Sequence, residues 1–144
     1  MGTVTRRELI RAGAWSVPVV AVAVAAPVAA ASMLPAGTVT QVGLYQQFAN
    51  SVNWTWNATN TTAGPAQLTV TLDLGTFTFG GWLTSAWARS GNVYVANAQV
   101  ASGSNVGNCT VVLRAPSGTT GVVTATVSAS GAQSQSYPFT ITIP

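Results

Sequence analysis

Residues 68–74 read Leu-Thr-Val-Thr-Leu-Asp-Leu, apolar and polar side chains in strict alternation. Successive side chains of a strand point to opposite faces. Leu68, Val70, Leu72 and Leu74 therefore share one side, and Thr69, Thr71 and Asp73 share the other. A helix would scatter the same residues around its axis. The alternation returns in residues 123–129 and 139–143. One apolar face and one Thr/Ser face is what a half-buried antiparallel strand requires. Further strands are expected at residues 39–45, 52–58, 77–79, 93–100 and 109–113. Turn strings separate them: Ala63-Gly64-Pro65, Gly80-Gly81, Ser90-Gly91-Asn92, Gly103-Ser104-Asn105, Pro116-Ser117-Gly118 and Gly131. Seven or eight short strands at this spacing predict an all-β antiparallel sandwich over residues 38–144. Residues 83–89 are the one ambiguous stretch. No repeat of solenoid or propeller length is evident.

Charge is scarce. The 144 residues include five Lys or Arg, two Asp or Glu and no His, while 48% are apolar. That apolar fraction argues against disorder. The net charge of +3 is misleading, because Arg6, Arg7 and Arg11 lie in the first eleven residues beside Glu8. Arg89, Arg114 and Asp73 are the only charged side chains that follow. Phosphate-backbone binding rests on many Lys/Arg contacts, so nucleic acid is not an expected partner. Weak self-repulsion also permits close association of copies.

The first third has the layout of an export signal. Residues 5–11 carry the positive charges, and residues 12–28 form an Ala/Val-rich apolar run interrupted by Pro18 and Pro27. Ala29 and Ala31 place small residues where a signal peptidase reads, which predicts cleavage before Ser32. Thr5-Arg6-Arg7-Glu8-Leu9-Ile10-Arg11 resembles a bacterial twin-arginine (Tat) signal, with Arg6 and Arg7 as the pair. Leu9, Ile10 and Arg11 stand in for Phe-Leu-Lys, departures that leave the Sec route open. The Arg-only, Ala-rich style resembles actinobacterial sequences. The expected organisation is a signal helix over residues 1–31, a linker over 32–37 and the sandwich from 38. The alternative is an uncleaved anchor. Residues 12–31 just match a hydrocarbon core of roughly 30 Å, and they are the only membrane-directed segment expected. With no Cys near the cleavage site, lipoprotein attachment is excluded. The implied destination is secreted, cell surface or cell wall.

Gly118-Thr119-Thr120-Gly121, followed by two Thr-alternating strands to Ile143, resembles the close of bacterial Ig-like domains of surface proteins. The resemblance covers about the last quarter of the chain and implies an Ig-like or fibronectin-like sandwich. Antibody-type domains carry two cysteines and a tyrosine two residues before the second. Here Cys109 stands alone, with Gly107 at the tyrosine's place, so that subfamily is excluded.

The residues available for chemistry are few. General acid–base catalysis draws on His or tuned carboxylates, and after residue 31 the chain has no His, no Glu and only Asp73. A paired-carboxylate or Ser-His-Asp arrangement cannot be assembled from one chain. Neither a metal site nor a cofactor is expected, and the protein is read as a non-enzyme. Asp73 reads as a solvated surface carboxylate. Cys109 alternates in phase with Val111 and Leu113, which places it in the core; an intermolecular disulfide is the alternative.

Aromatic residues are the remaining candidates for binding. Trp54 and Trp56 share a strand face with Val52 and Ala58, either as a core stack or as an exposed platform for sugar rings. Trp82 and Trp87 flank Gly80-Gly81 and, with Tyr94, make the better candidates for an exposed contact at loops. The sequons at Asn53, Asn57, Asn60 and Asn108 read as incidental to Asn/Thr richness. An ice-binding role for the Thr-x-Thr pairs would need them on one flat face, and they are expected to be spread over both sheets. Two functions follow. The first is a structural or adhesive module acting through protein–protein contacts, self-association included, with residues 38–45 or 139–143 as edges that add to another sheet. The second is a carbohydrate-binding module for cell-wall polysaccharide.

Overall fold

The computed structural model describes residues 33–144. The alternating segments become nine strands: β1 (Gly37–Phe48), β2 (Ser51–Asn60), β3 (Thr69–Asp73), β4 (Thr78–Leu83), β5 (Trp87–Ser90), β6 (Val93–Ala96), β7 (Cys109–Arg114), β8 (Thr120–Ser128) and β9 (Gln135–Thr142). They form a four-stranded sheet, β1-β2-β7-β4, and a five-stranded sheet, β5-β6-β3-β8-β9. Neighbouring strands within each sheet are antiparallel. The described residues contain no helix.

The sandwich carries an immunoglobulin order with an insertion. When the β5–β6 hairpin is set aside, seven strands remain. β1, β2, β7 and β4 take the places of A, B, E and D, and β3, β8 and β9 those of C, F and G. The hairpin adds to the free side of β3 through β6. Its turn is Gly91-Asn92, and Gly91 has φ 59°, a left-handed value that costs glycine nothing. β5 is the strand beyond the seven or eight expected. Trp87-Ala88-Arg89-Ser90 does alternate, but an arginine at an inward position hides the apolar face.

The core follows the period-two pattern. Val52, Trp54, Trp56 and Ala58 of β2 face Val70 and Leu72 of β3 and Val123, Ala125 and Val127 of β8, all buried. Close backbone packing also requires small residues: a Cβ on Gly37 would meet the Thr59 carbonyl oxygen at 2.6 Å.

At the start of the fold the structure corrects the expected linker. From Leu34 the chain is tied to the loop before β9. The Ala36 N–H donates to the Gln133 carbonyl at 2.8 Å, the Gln133 N–H to the Leu34 carbonyl at 2.9 Å, and Ala36 is buried. Two main-chain hydrogen bonds and a buried methyl outweigh the turn-like composition of Leu-Pro-Ala-Gly. The expected signal helix, Arg6 and Arg7, and the cleavage residues Ala29, Ala31 and Ser32 lie outside the described residues.

Candidate interaction surface

Trp54, Trp56 and Trp87 build the core and offer no platform. Trp54 and Trp56 are fully buried, with ring centroids 6.3 Å apart. Trp54 packs 5.3 Å from Phe139 of β9 and donates its Nε1–H to Gln41 Oε1 at 3.1 Å. Trp56 packs 5.1 Å from Trp87 and edge-on to Tyr94 at 5.6 Å. This corrects the expectation of exposed contacts at Trp87 and Tyr94, which are 2% and 1% exposed. The reason is the unrecognised β5: Trp87 lies on an inward strand position, and its Nε1–H is satisfied by the Gly107 carbonyl at 3.0 Å. Trp82 is half-buried and packs 6.2 Å from Tyr94. Together these rings pack the two sheets against each other.

Cys109 is also in the core, fully buried on β7. Burial pushes its thiol up to about 12, against the opposing influence of Arg89. A thiol so placed is neutral at physiological pH and out of reach of another chain, which removes the intermolecular disulfide. Asp73 is exposed, as expected, and accepts the Gly75 N–H at 3.0 Å. No group of three or more His, Cys, Asp or Glu side chains that could hold a metal occurs among the described residues.

Arg89 has an unusual position. It lies across from Tyr94 on the inward side of β5, its guanidinium carbon 3.5 Å from the centre of the Phe79 ring on β4. Its Nε is buried with no hydrogen-bond partner. The aromatic face supplies the compensation that a carboxylate would otherwise give. Burial raises the Tyr94 hydroxyl above its ordinary value, with Arg89 acting in the opposite direction.

The four edges of the two sheets differ in how they end. β5 has four residues and the inward Arg89. β4 is broken by a register shift between Phe79 and Gly81, and the Arg114 side chain lies across Gly80, where an added Cβ would meet its Nε at 2.7 Å. β9 carries Pro138 in mid-strand. β1 has twelve residues, no charge and no proline. It bulges between Gln41 and Gly43 and between Gln46 and Phe48, leaving residues 43–46 as a regular run. Val42, Leu44, Tyr45 and Phe48 are exposed along it. Short strands, inward charges, bulges and proline are the devices that keep sheet edges from pairing. Of the two expected edges, 38–45 and 139–143, both lie on edge strands, and β1 is the more open.

Outward-facing hydroxyls cover the five-stranded sheet. Thr69 and Thr71 of β3, Thr124 and Thr126 of β8, and Thr140 and Thr142 of β9 share its outer face, while Thr38 and Thr40 lie on β1, so the Thr-x-Thr pairs are spread over both sheets as expected. The hydroxyls bond one another instead of forming a free lattice: Thr126 with Ser136 at 2.8 Å and Thr120 with Thr142 at 2.9 Å. At one end a groove of about 480 Å³ is lined by Pro65, Gln67, Thr69, Gln99, Ser128 and Ser130, without a charged group.

Sequence reasoning missed Asn60. It is fully buried at the end of β2, donating to the Gly64 and Val100 carbonyls at 2.9 and 2.8 Å and accepting the Thr62 N–H at 2.9 Å. It holds two loops together. Its place on the inward side next to Ala58 and Trp56 was the available signal, hidden by the sequon it also forms.

No family model matches the chain. No curated protein matches it. Among solved structures the chain is similar to a DUF4466 family protein from Parabacteroides merdae, at 11% identity and a TM-score of 0.42. The match covers 74% of this chain and 44% of that one, so the chain spans less than half the length of that protein.

Proposed function

We propose that this chain is an exported, non-enzymatic structural or adhesive module, with an Ig-like sandwich that works through protein–protein contacts at the cell surface or in an extracellular assembly. The observation that carries this reading is β1, a long uncharged edge with Val42, Leu44, Tyr45 and Phe48 open to solvent. Such an edge favours strand addition over small-molecule chemistry. The twin-arginine-like start and the scarcity of His and carboxylates point the same way. The test is fractionation of the producing cells, followed by light scattering on the released protein. Retention in the wall fraction or an assembly larger than one chain supports the module. A freely diffusing monomer with no retained fraction contradicts it.

Polysaccharide binding remains as a second reading because of the neutral groove near Gln99, where amides and hydroxyls suit sugar hydroxyls. With Trp54, Trp56 and Trp87 buried, it lacks stacking rings and has only hydrogen bonds for affinity. A glycan panel with wild type and Gln99→Ala tests it; no binding above background ends it.

A further inference from the structure

We infer that β1 is the pairing edge for a second copy of this chain, which adds antiparallel along residues 43–46 about a two-fold axis near Leu44. The inference rests on the structural reading above and names its partner.

Its basis is a mismatch between the sheets. The sheet containing β1 has four strands against the five of its partner. Leu44 lies directly across from Trp54, and Gln46 across from Val52. Trp54 and Val52 are buried, yet Leu44 is 38% exposed and Gln46 is exposed too. The inward side of β1 beyond Gln41 therefore has no cover from the opposite sheet, and Phe139, which packs on Trp54, is left half-buried. A fifth strand beside β1 would equalise the sheets and bring apolar side chains next to Leu44.

An edge strand turns the N–H and C=O of every second residue away from its neighbour, so main-chain hydrogen bonds come with the added strand. Charge favours the same chain as its source. β1 has no ionised group to recognise a charged partner, and Arg89, Arg114 and Asp73 are the only charged side chains among the described residues. Two copies therefore approach with little repulsion. Antiparallel pairing of identical strands closes as a two-fold dimer, whereas two different edges would form a ring or an open chain. In this register the apolar patch of each copy covers that of the other.

The test is light scattering after size-exclusion chromatography on the protein as its host releases it, comparing wild type, Leu44→Lys and Leu83→Lys. Leu83 is an exposed leucine on the β4 edge and serves as the control. The expected result is a dimer that persists at raised salt, since no ion pair holds it. Leu44→Lys brings two ammonium groups together at the axis and weakens the dimer by about tenfold or more, and Leu83→Lys leaves it unchanged. Should Leu44→Lys fail to fold, Val42→Lys, at an exposed bulge position, replaces it with the same expectation. A dimer indifferent to these β1 changes, or one lost only in Leu83→Lys, overturns the β1 interface while leaving self-association standing. A wild-type monomer overturns self-pairing; if it is still retained at the wall, the adhesive reading survives.

Discussion

On the flank formed by β4 and β5 the edge strands are short, one is bulged, and Arg89 fills the space between the sheets against Phe79 and Tyr94. On the flank formed by β1 and β9 the strands are long. A single hydrogen bond from Tyr137 Oη to the Gly37 carbonyl, at 3.0 Å, joins them near the start of β1, and its remainder stands open with apolar side chains. One flank spends a charge and an aromatic ring on closure, and the other leaves main chain and hydrophobic surface available. In a chain with so few charges, placing one of them inside an edge points to a need for closure there. Its absence from β1 marks that edge as the one free to be used.

The comparison can be broken first at the centre that supports both flanks. Trp56→Ala empties the contact with Trp54, Trp87 and Tyr94 and should cost about 3–5 kcal/mol in denaturant unfolding. Leu44→Ala on the open flank should stay within about 0.5 kcal/mol. Equal costs would mean that β1 belongs to the core after all.

Alkaline pH tests the same centre through Cys109. Its thiol sits at about 12 in the fold against 9.0 ordinarily, so above pH 9 the unfolded chain loses the proton while the folded chain keeps it. Stability is therefore fully present below pH 9 and falls by about 1.4 kcal/mol per pH unit as pH rises toward 12. Cys109→Ala should flatten that slope in unfolding followed against pH. At neutral pH, thiol reagents should label Cys109 only when the protein unfolds.

Asn60→Ala should cost about 1–3 kcal/mol, since it removes one donor from each of the Gly64 and Val100 carbonyls and leaves the Thr62 N–H without its acceptor. Hydrogen exchange should then quicken in the loops at 61–66 and 100–104 and remain unchanged in β1.

A smaller effect than at Asn60 is expected at the closed flank. Arg89→Met keeps much of the volume and relieves an unpartnered buried Nε, so its cost should be about 1 kcal/mol, the lost attraction to Phe79. Its informative result is association: without the inward charge, β5 should begin to pair, and light scattering should reveal species larger than a dimer.

Much of the fold was legible because period two is a local signal. Leu68-Thr69-Val70-Thr71-Leu72 states its own buried face, and the same holds for residues 123–129 and 139–143. The position of Cys109 in the core was readable from its phase with Val111 and Leu113. β5 was not readable, because Arg89 lies where an apolar residue should be and its compensating ring, Phe79, is brought near only by the tertiary fold. Trp87 was misplaced for the same reason: grouped with Trp82 after Gly80-Gly81, it resembles a loop residue until the strand is known. The edges were partly readable. Low charge marked residues 38–45 and 139–143 as available, but which strand ends a sheet, and that β9 carries its proline there, depends on pairing between distant segments.

The central claim is that the open main chain of β1 is used for pairing, and amide hydrogen exchange at dilute and concentrated protein tests it most directly. The account predicts that residues 43–46 become more protected as concentration rises, while residues 87–90 of β5 exchange alike at both. Exchange in residues 43–46 that is indifferent to concentration, or protection that grows at β5 instead, would contradict it.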